Sequence, residues 1–148
     1  MSQQLVISGL EDVRSSFSFS VPLQVRFSDI DGYMHVNNGV YFSYLEHARA
    51  LYLYQQCGWD VMDVGTVVAD LHISYKKPIH AFDRVSAFVR CKSVGNSSFV
   101  LEQVLAGTTE KGEEAIYATA SVVMVSVDMK TMKPTPVPTQ YRVKLEQK

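Results

Sequence analysis

Apolar and polar residues alternate strictly near the start of the chain. Between residues 16 and 27 every second position is apolar: Phe17, Phe19, Val21, Leu23, Val25 and Phe27. A period of two is typical of a β-strand with one buried face and one solvent-facing face. Because Pro22 cannot donate a hydrogen bond to a neighbouring strand, we expect this strand at the edge of a sheet or at a bulge.

The period changes to that of a helix after a polar loop at residues 28–37. Apolar side chains then recur at spacings of three and four: Tyr41, Tyr44, Leu45, Ala48 and Tyr52. This stripe predicts a helix from about Asn38 to Cys57, capped by Asn37 or Asn38 and stopped at Gly58. Three more apolar residues widen the surface beyond one stripe: Phe42, Leu51 and Leu53. We therefore expect the helix to be covered on more than one side.

Four further strands are predicted after the helix. They cover residues 67–75, 85–94, 99–106 and 115–127, with turns at 94–97 and 107–112. Sequential strands joined by tight turns pair antiparallel. The tail from Asp128 contains three prolines and is expected to end in a short helix near Tyr141.

This order of elements predicts an α+β fold. One antiparallel sheet can bury both faces of a long helix only if it curls around that helix. We expect a long central helix wrapped by a curved antiparallel sheet of five or six strands. The single domain would span residues 1–148, with a core at about 16–128 and a tail at 129–148. Such a sheet has free edges, which pairing of two subunits would cover.

Composition narrows the classes of partner. The chain of 148 residues is 47% hydrophobic and 20% charged, as in globular domains, and its net charge of −1 provides no general attraction for nucleic acid or anionic membranes. The two cysteines, Cys57 and Cys91, are too few for a disulfide scaffold. There is no signal-peptide pattern, and no apolar stretch reaches the roughly 20 residues of a membrane span. We expect a cytoplasmic protein without nucleic-acid or membrane partners.

Polar side chains are concentrated in the loop before the helix. It carries Asp29, Asp31, His35, Asn37 and Asn38. A helix N-terminus has unpaired N–H groups and a partial positive charge, so a substrate carbonyl there would gain oxyanion stabilisation of about 3–4 kcal/mol per good donor. A nearby carboxylate can attack such a carbonyl or activate water.

Taken one at a time, these residues also have structural interpretations. Asp31-Gly32 is a turn signal in its own right, and an asparagine at a helix start is a common cap. The Asp-x-Asp-Gly string suggests a calcium loop, but that motif requires a carboxylate at its twelfth position, where Val40 stands. The individual residues therefore leave catalysis and structure both open.

The complete string resembles the signature of the 4-hydroxybenzoyl-CoA thioesterase-like hotdog family, D-x-D-x-x-G-H-V-N-N-x-x-Y-x-x-Y-x-E-x-A-R. The matching residues are Asp29, Asp31, His35, Val36, Asn37, Asn38, Tyr41, Tyr44, Glu46, Ala48 and Arg49. A second element, Y-x-x-P-x-x-x-x-D-x-V, is matched by Tyr75, Pro78, Asp83 and Val85. The chain departs from the family at Met34, where glycine is usual.

The resemblance implies a set of catalytic roles. Asp31 would be the catalytic carboxylate, as nucleophile or general base, and the backbone N–H of Asn38 would polarise the thioester carbonyl. His35 would assist water or orient substrate. The residues expected near the substrate are Met34, Asn37, Tyr41 and Glu46, although Glu46 and Arg49 are also spaced for a structural ion pair. Asp29 is expected to shape the loop through backbone hydrogen bonds.

The implied activity is hydrolysis of an acyl-CoA to a free carboxylic acid and CoA, without a cofactor or metal, by a homodimer or homotetramer. Candidate CoA-binding residues are Lys76, Lys77, Arg90, Ser97 and Ser98. Two alternatives stay open. One is an acyl-carrier-protein thioesterase, which would need a basic rim for its acidic partner. The other is a non-catalytic acyl-binding hotdog module.

Overall fold

The computed structural model describes residues 5–147, which form one antiparallel sheet packed against one long helix. The elements are α1 Leu10–Ser16, β1 Phe19–Pro22, a 3₁₀ turn Phe27–Asp29, α2 Asn38–Leu51, a π-helical continuation Tyr52–Gln56, β2 Val64–Tyr75, β3 Arg84–Val94, β4 Ser98–Thr108, β5 Glu114–Asp128 and α3 Thr139–Glu146. The five strands follow the order β1-β3-β4-β5-β2, and every pair is antiparallel. The predicted α+β architecture is confirmed.

The long helix begins and ends where its sequence predicts. Asn37 is the N-cap, since its Oδ1 accepts the Gly39 N–H at 2.8 Å. After the π-helical continuation the chain turns at Gly58, whose φ of 63° lies in the left-handed region that favours glycine. The whole predicted stripe is buried: Tyr41, Tyr44, Leu45, Ala48 and Tyr52. Burial of this stripe against the sheet fixes the position of the α2 N-terminus.

The N-terminal strand is shorter than predicted. Only Phe19–Pro22 pairs with β3, at an edge of the sheet, and Phe27 is 94% exposed. The unpredicted helix α1 precedes this strand, and it packs with Phe17 against Phe88. Neighbours of Phe88 on β3 belong to the main core, and successive strand residues face opposite sides. Phe17 therefore lies on the sheet face opposite α2, so the alternating apolar residues 17–27 do not share one buried face.

The turn between β4 and β5 begins later than predicted. Gly107 belongs to β4, and the turn is closed by hydrogen bonds from the Thr109 and Gly112 N–H groups. A Cβ at Gly107 would lie 1.8 Å from the Arg84 backbone oxygen on β3, so only glycine fits this close approach. Within residues 5–147 no helix is long and apolar enough to cross a membrane.

Both cysteine thiols are free. Burial raises the pKa of Cys57 to about 11 and that of Cys91 to about 11. A thiolate is the reactive form of cysteine, so neither thiol is prepared to act as a nucleophile near neutral pH.

Candidate active site

The loop before α2 folds back on itself as a small hairpin. Ile30 and Val36 form an antiparallel bridge. Inside it the Asp31 N–H donates to the His35 carbonyl at 2.9 Å, and the Met34 N–H donates to the Asp31 carbonyl at 3.0 Å. The hairpin places the backbones of Asp31 and His35 side by side, immediately before the helix.

The Asp31 carboxylate has one constrained oxygen. Its Oδ1 accepts the Tyr33 N–H at 2.9 Å, which fixes the side chain against its own turn. We find no hydrogen-bond partner for Oδ2 within residues 5–147, and the residue is partly exposed. An oriented carboxylate with one free oxygen can take a proton or attack a carbonyl carbon.

Asp29 has a different environment. Its Oδ2 accepts the Arg26 N–H at 2.9 Å and the Tyr44 hydroxyl at 2.7 Å, while its backbone oxygen accepts the Asn37 N–H. Burial raises the pKa of Tyr44, and the hydrogen bond to Asp29 raises it further, so the hydroxyl keeps its proton. Asp29 therefore fastens the loop to α2, and it makes the backbone hydrogen bonds expected of a residue that shapes the loop.

The helix start presents one unused donor. Of the first backbone groups of α2, Gly39 N–H is taken by the Asn37 side chain and Val40 N–H by the Asn37 carbonyl. The Asn38 N–H has no acceptor in the described part of the chain. The Asn38 carbonyl accepts the Tyr75 hydroxyl at 3.1 Å, which ties the helix start to the end of β2. An unpaired N–H at a positively polarised helix end is a ready anion or oxyanion site.

The backbone conformation of Met34 explains why glycine is usual at this position in the family pattern. It has a φ of 64°, in the left-handed region, and the residue is 69% exposed. A left-handed residue following a turn is a common way to close a short hairpin. In this chain a methionine adopts the left-handed conformation, and its backbone is therefore strained.

Met34→Gly is expected to stabilise the protein. Removing a side chain from the left-handed region recovers about 1–2 kcal/mol, from which the greater freedom of glycine in the unfolded chain subtracts about 0.5–1 kcal/mol. The free energy of unfolding, measured by denaturant titration, should therefore rise slightly. Met132→Gly is the matched control, since Met132 is also exposed and has a φ of 58°. A clear loss of stability in Met34→Gly alone would show that the methionine side chain makes contacts that outweigh its backbone strain.

Two of the expected substrate neighbours have other partners in the structure. Tyr41 is only 2% exposed, and its hydroxyl accepts the Ile79 N–H at 3.2 Å, so its ring belongs to the core. Glu46 lies eight residues along α2 from Asn38, about 12 Å at 1.5 Å per residue. Its carboxylate is 4.0 Å from the Arg49 guanidinium, and its side chain is largely exposed. The ion pair anticipated from their spacing is present.

Four of the five expected CoA-binding residues form two groups. Lys76 and Lys77 follow β2 directly and lie near the helix start, because Tyr75 is bonded to Asn38. Ser97 and Ser98 lie at the β3–β4 turn, where Ser98 is paired with Val125. Tyr75 is paired with Ala118, seven residues away on β5, or about 23 Å. One subunit therefore does not bring the two groups together.

Arg90 has other partners. Its Nε donates to the Glu102 carboxylate at 2.9 Å, and its guanidinium lies 4.2 Å from the centre of the Phe17 ring. A basic residue not identified from the sequence lies at the β3–β4 turn instead. Arg142 of α3 donates to the carbonyls of Gly95 and Asn96 at 2.6 and 3.2 Å. Within residues 5–147 no group of three or more His, Cys, Asp or Glu side chains is placed to hold a metal ion.

Comparisons with known proteins place the chain in a family. A family model described as "Thioesterase-like superfamily" matches residues 25–145. The long-chain acyl-CoA thioesterase FadM of Escherichia coli is 30% identical over 128 residues, which cover 84% of this chain and 95% of FadM. A Thermus thermophilus thioesterase complexed with coenzyme A and Zn has a TM-score of 0.74 at 32% identity and covers 89% of this chain and 100% of its own. A mutant 4-hydroxybenzoyl-CoA thioesterase complexed with 4-hydroxybenzoyl-CoA has a TM-score of 0.78 at 19% identity, over 86% of this chain and 98% of its own, a likeness of fold alone.

Proposed function

The chain belongs to the thioesterase-like superfamily and has its hotdog fold, and we propose that it hydrolyses an acyl-CoA to a free carboxylic acid and CoA. The observation that carries this proposal is the placement of Asp31, with one free carboxylate oxygen, in the hairpin that leads directly to the unpaired N–H of Asn38. Similarity to FadM and to a CoA-bound thioesterase supports acyl-CoA as the class of substrate.

The chain's own groups supply the steps of this hydrolysis. The thioester carbonyl oxygen would accept the Asn38 N–H, which stabilises the oxyanion that forms on attack. As general base, Asp31 would take a proton from water while the water oxygen bonds to the carbonyl carbon; collapse then breaks the C–S bond and releases the CoA thiolate, which is protonated. As nucleophile, Asp31 would instead attack the carbonyl carbon and expel the CoA thiolate, which forms an acyl anhydride; water then cleaves the anhydride to the free acid and the Asp31 carboxylate. His35, beside Asp31 in the hairpin, would orient the water or the substrate.

A panel of acyl-CoAs, aliphatic and aromatic, tests the activity through release of free thiol. The same acyl groups carried on acyl carrier protein form the comparison arm. We expect turnover of at least one acyl-CoA and slower turnover of the carrier-protein thioester. Binding of acyl-CoA without any thiol release would favour the non-catalytic module and contradict the proposal.

A second copy of the chain is proposed to complete the substrate site. Strand β2 has twelve residues and forms an edge of the sheet that no other described strand covers. Val68 on this edge is 43% exposed, and a cleft of about 1140 Å³ lies between the start of β2 and the second half of α2. The two groups lie at opposite ends of one sheet. Two-fold antiparallel pairing of β2 with its copy reverses the second sheet, so the partner's β3–β4 turn would lie at the same end as Lys76 and Lys77. CoA would then contact both groups of candidate residues.

Val68→Lys is expected to convert the proposed dimer to a monomer, because a charge in the exposed apolar stretch 67–69 of this edge opposes strand pairing. Sedimentation velocity should show the loss of mass, and thiol release should fall with it, since each site depends on both subunits. Ser20→Lys is the matched control, as Ser20 is exposed on β1 at the other edge of the sheet. A wild-type protein that is monomeric at micromolar concentration and fully active would contradict the shared site.

A further inference from the structure

His80, for which neither the sequence nor the family pattern indicates a role, lies in the segment between β2 and β3. This segment is bonded to the catalytic hairpin and to α2. The Val36 N–H donates to the Ile79 carbonyl at 2.8 Å, and the Ile79 N–H donates to the Tyr41 hydroxyl at 3.2 Å. Val36 follows His35, and Ile79 precedes His80, so these bonds bring the two histidines together.

The imidazole of His35 is in contact with the imidazole of His80. Their ring centres are 5.0 Å apart, and the rings are nearly perpendicular at 88°. This is an edge-to-face arrangement, a favoured geometry for planar rings. We find no hydrogen bond to the His35 imidazole from any residue between 5 and 147. Among the hydrogen bonds and ring contacts of residues 5–147, the contact with His80 is the one that restrains the His35 ring.

Asp83 holds His80 in turn. Its Oδ2 accepts the His80 backbone N–H at 2.9 Å and lies 3.7 Å from Nδ1 of the His80 ring. Its Oδ1 accepts the backbone N–H of Glu110, in the β4–β5 turn, at 3.1 Å. The Asp83 side chain is only 2% exposed, whereas that of His80 is 49% exposed. A buried, fully engaged carboxylate is a rigid support for the more exposed imidazole.

We infer that His80 is a positioning residue, which holds the His35 imidazole in its working orientation and is itself held by Asp83. The inference rests on the proposed hydrolysis for the role of His35. His80 acts through His35 and does not need to touch the substrate. Misplacing a group that orients water or substrate lowers turnover more than it lowers substrate affinity, because alignment matters most in the transition state.

His80→Ala is expected to lower kcat about tenfold with KM unchanged, a smaller loss than the 10²–10⁴-fold of removing a general acid or base altogether. His80→Phe keeps a ring against His35 and should restore most of the lost turnover. His80→Gln keeps a polar side chain without a ring and should behave like His80→Ala. In a His35→Ala background, adding His80→Ala should cost nothing further, because the two residues act as one unit.

Side-chain NMR of the His35 ring provides a readout that does not depend on activity. In His80→Ala the His35 ring signals should shift and broaden, and in His80→Phe they should stay sharp. Unchanged His35 signals in His80→Ala, or losses from the two alanine variants that multiply in the double variant, would overturn the inference. A wild-type protein that hydrolyses no acyl-CoA would instead overturn the proposed function, and the NMR comparison would still decide the positioning role.

Discussion

Asp31→Asn should nearly abolish thioester hydrolysis while the protein stays folded and still binds acyl-CoA. The substitution keeps the size of the side chain and an Oδ1 that can accept the Tyr33 N–H, so the hairpin keeps its turn. It removes the negative charge, and with it the ability to take a proton or to attack a carbonyl carbon. Loss of a general base costs about 10²–10⁴-fold in turnover, and loss of a covalent route costs more. Thiol release measures the first effect, and thermal melting checks the fold.

Asp29→Asn is the matched control, because it makes the same chemical change two residues away. Asp29 accepts hydrogen bonds from Arg26 and Tyr44, so its substitution should lower stability by about 1–2 kcal/mol and activity much less. His35→Ala should fall between the two variants in turnover. If Asp31→Asn keeps more than about a tenth of wild-type turnover, the loss is below the smallest expected for a general base and Asp31 is not the catalytic carboxylate. If Asp29→Asn is the inactive variant, the two roles are reversed.

The helix and the sheet could be predicted because their patterns reflect a single buried surface. The α2 stripe faces one core, so its spacing of three and four matches burial at every position. The pattern of the N-terminal strand was misleading because its alternation combined residues of three environments. Phe17 packs with α1 on the sheet face opposite α2, Phe19 belongs to the main core, and Phe27 is on the surface. Helix α1 itself has seven residues, too few to produce a recognisable period.

The candidate site was predictable only where its residues are close in sequence. Asp31, His35 and Asn38 lie within eight positions, so a linear motif could identify them together. His80 and Arg142 reach the hairpin and the β3–β4 turn through tertiary contacts, and no spacing in the sequence links them to those places. The sequence likewise showed Met34 only as a departure from the usual glycine. The positive φ angle in the structure explains why glycine is usual there.

Asn38→Pro should lower turnover by about 10²–10³-fold, the cost of removing one oxyanion donor. Proline deletes the backbone N–H and changes little else at this position. Asn38 is the first residue of α2, where proline is well tolerated, and Asn37 has φ −59° and ψ 137°, the extended backbone that a following proline requires. The Asn38 N–H has no acceptor in the described chain, so no internal hydrogen bond is lost, and the Asn37 cap stays. Thermal melting should therefore show little change.

Asn38→Ala separates the backbone donor from the side chain. It keeps the N–H and removes the amide, so turnover should stay near the wild-type value if the backbone group is the oxyanion donor. The two variants therefore distinguish a backbone donor from a side-chain donor. A backbone donor is lost only in Asn38→Pro, whereas a side-chain donor is lost in both variants. Equal turnover of Asn38→Pro and Asn38→Ala, at any level, would place the oxyanion donor away from the backbone of residue 38. Slow turnover in Asn38→Pro alone, with kcat reduced and acyl-CoA binding retained, would locate the stabilisation at the helix N-terminus, where it acts on the transition state.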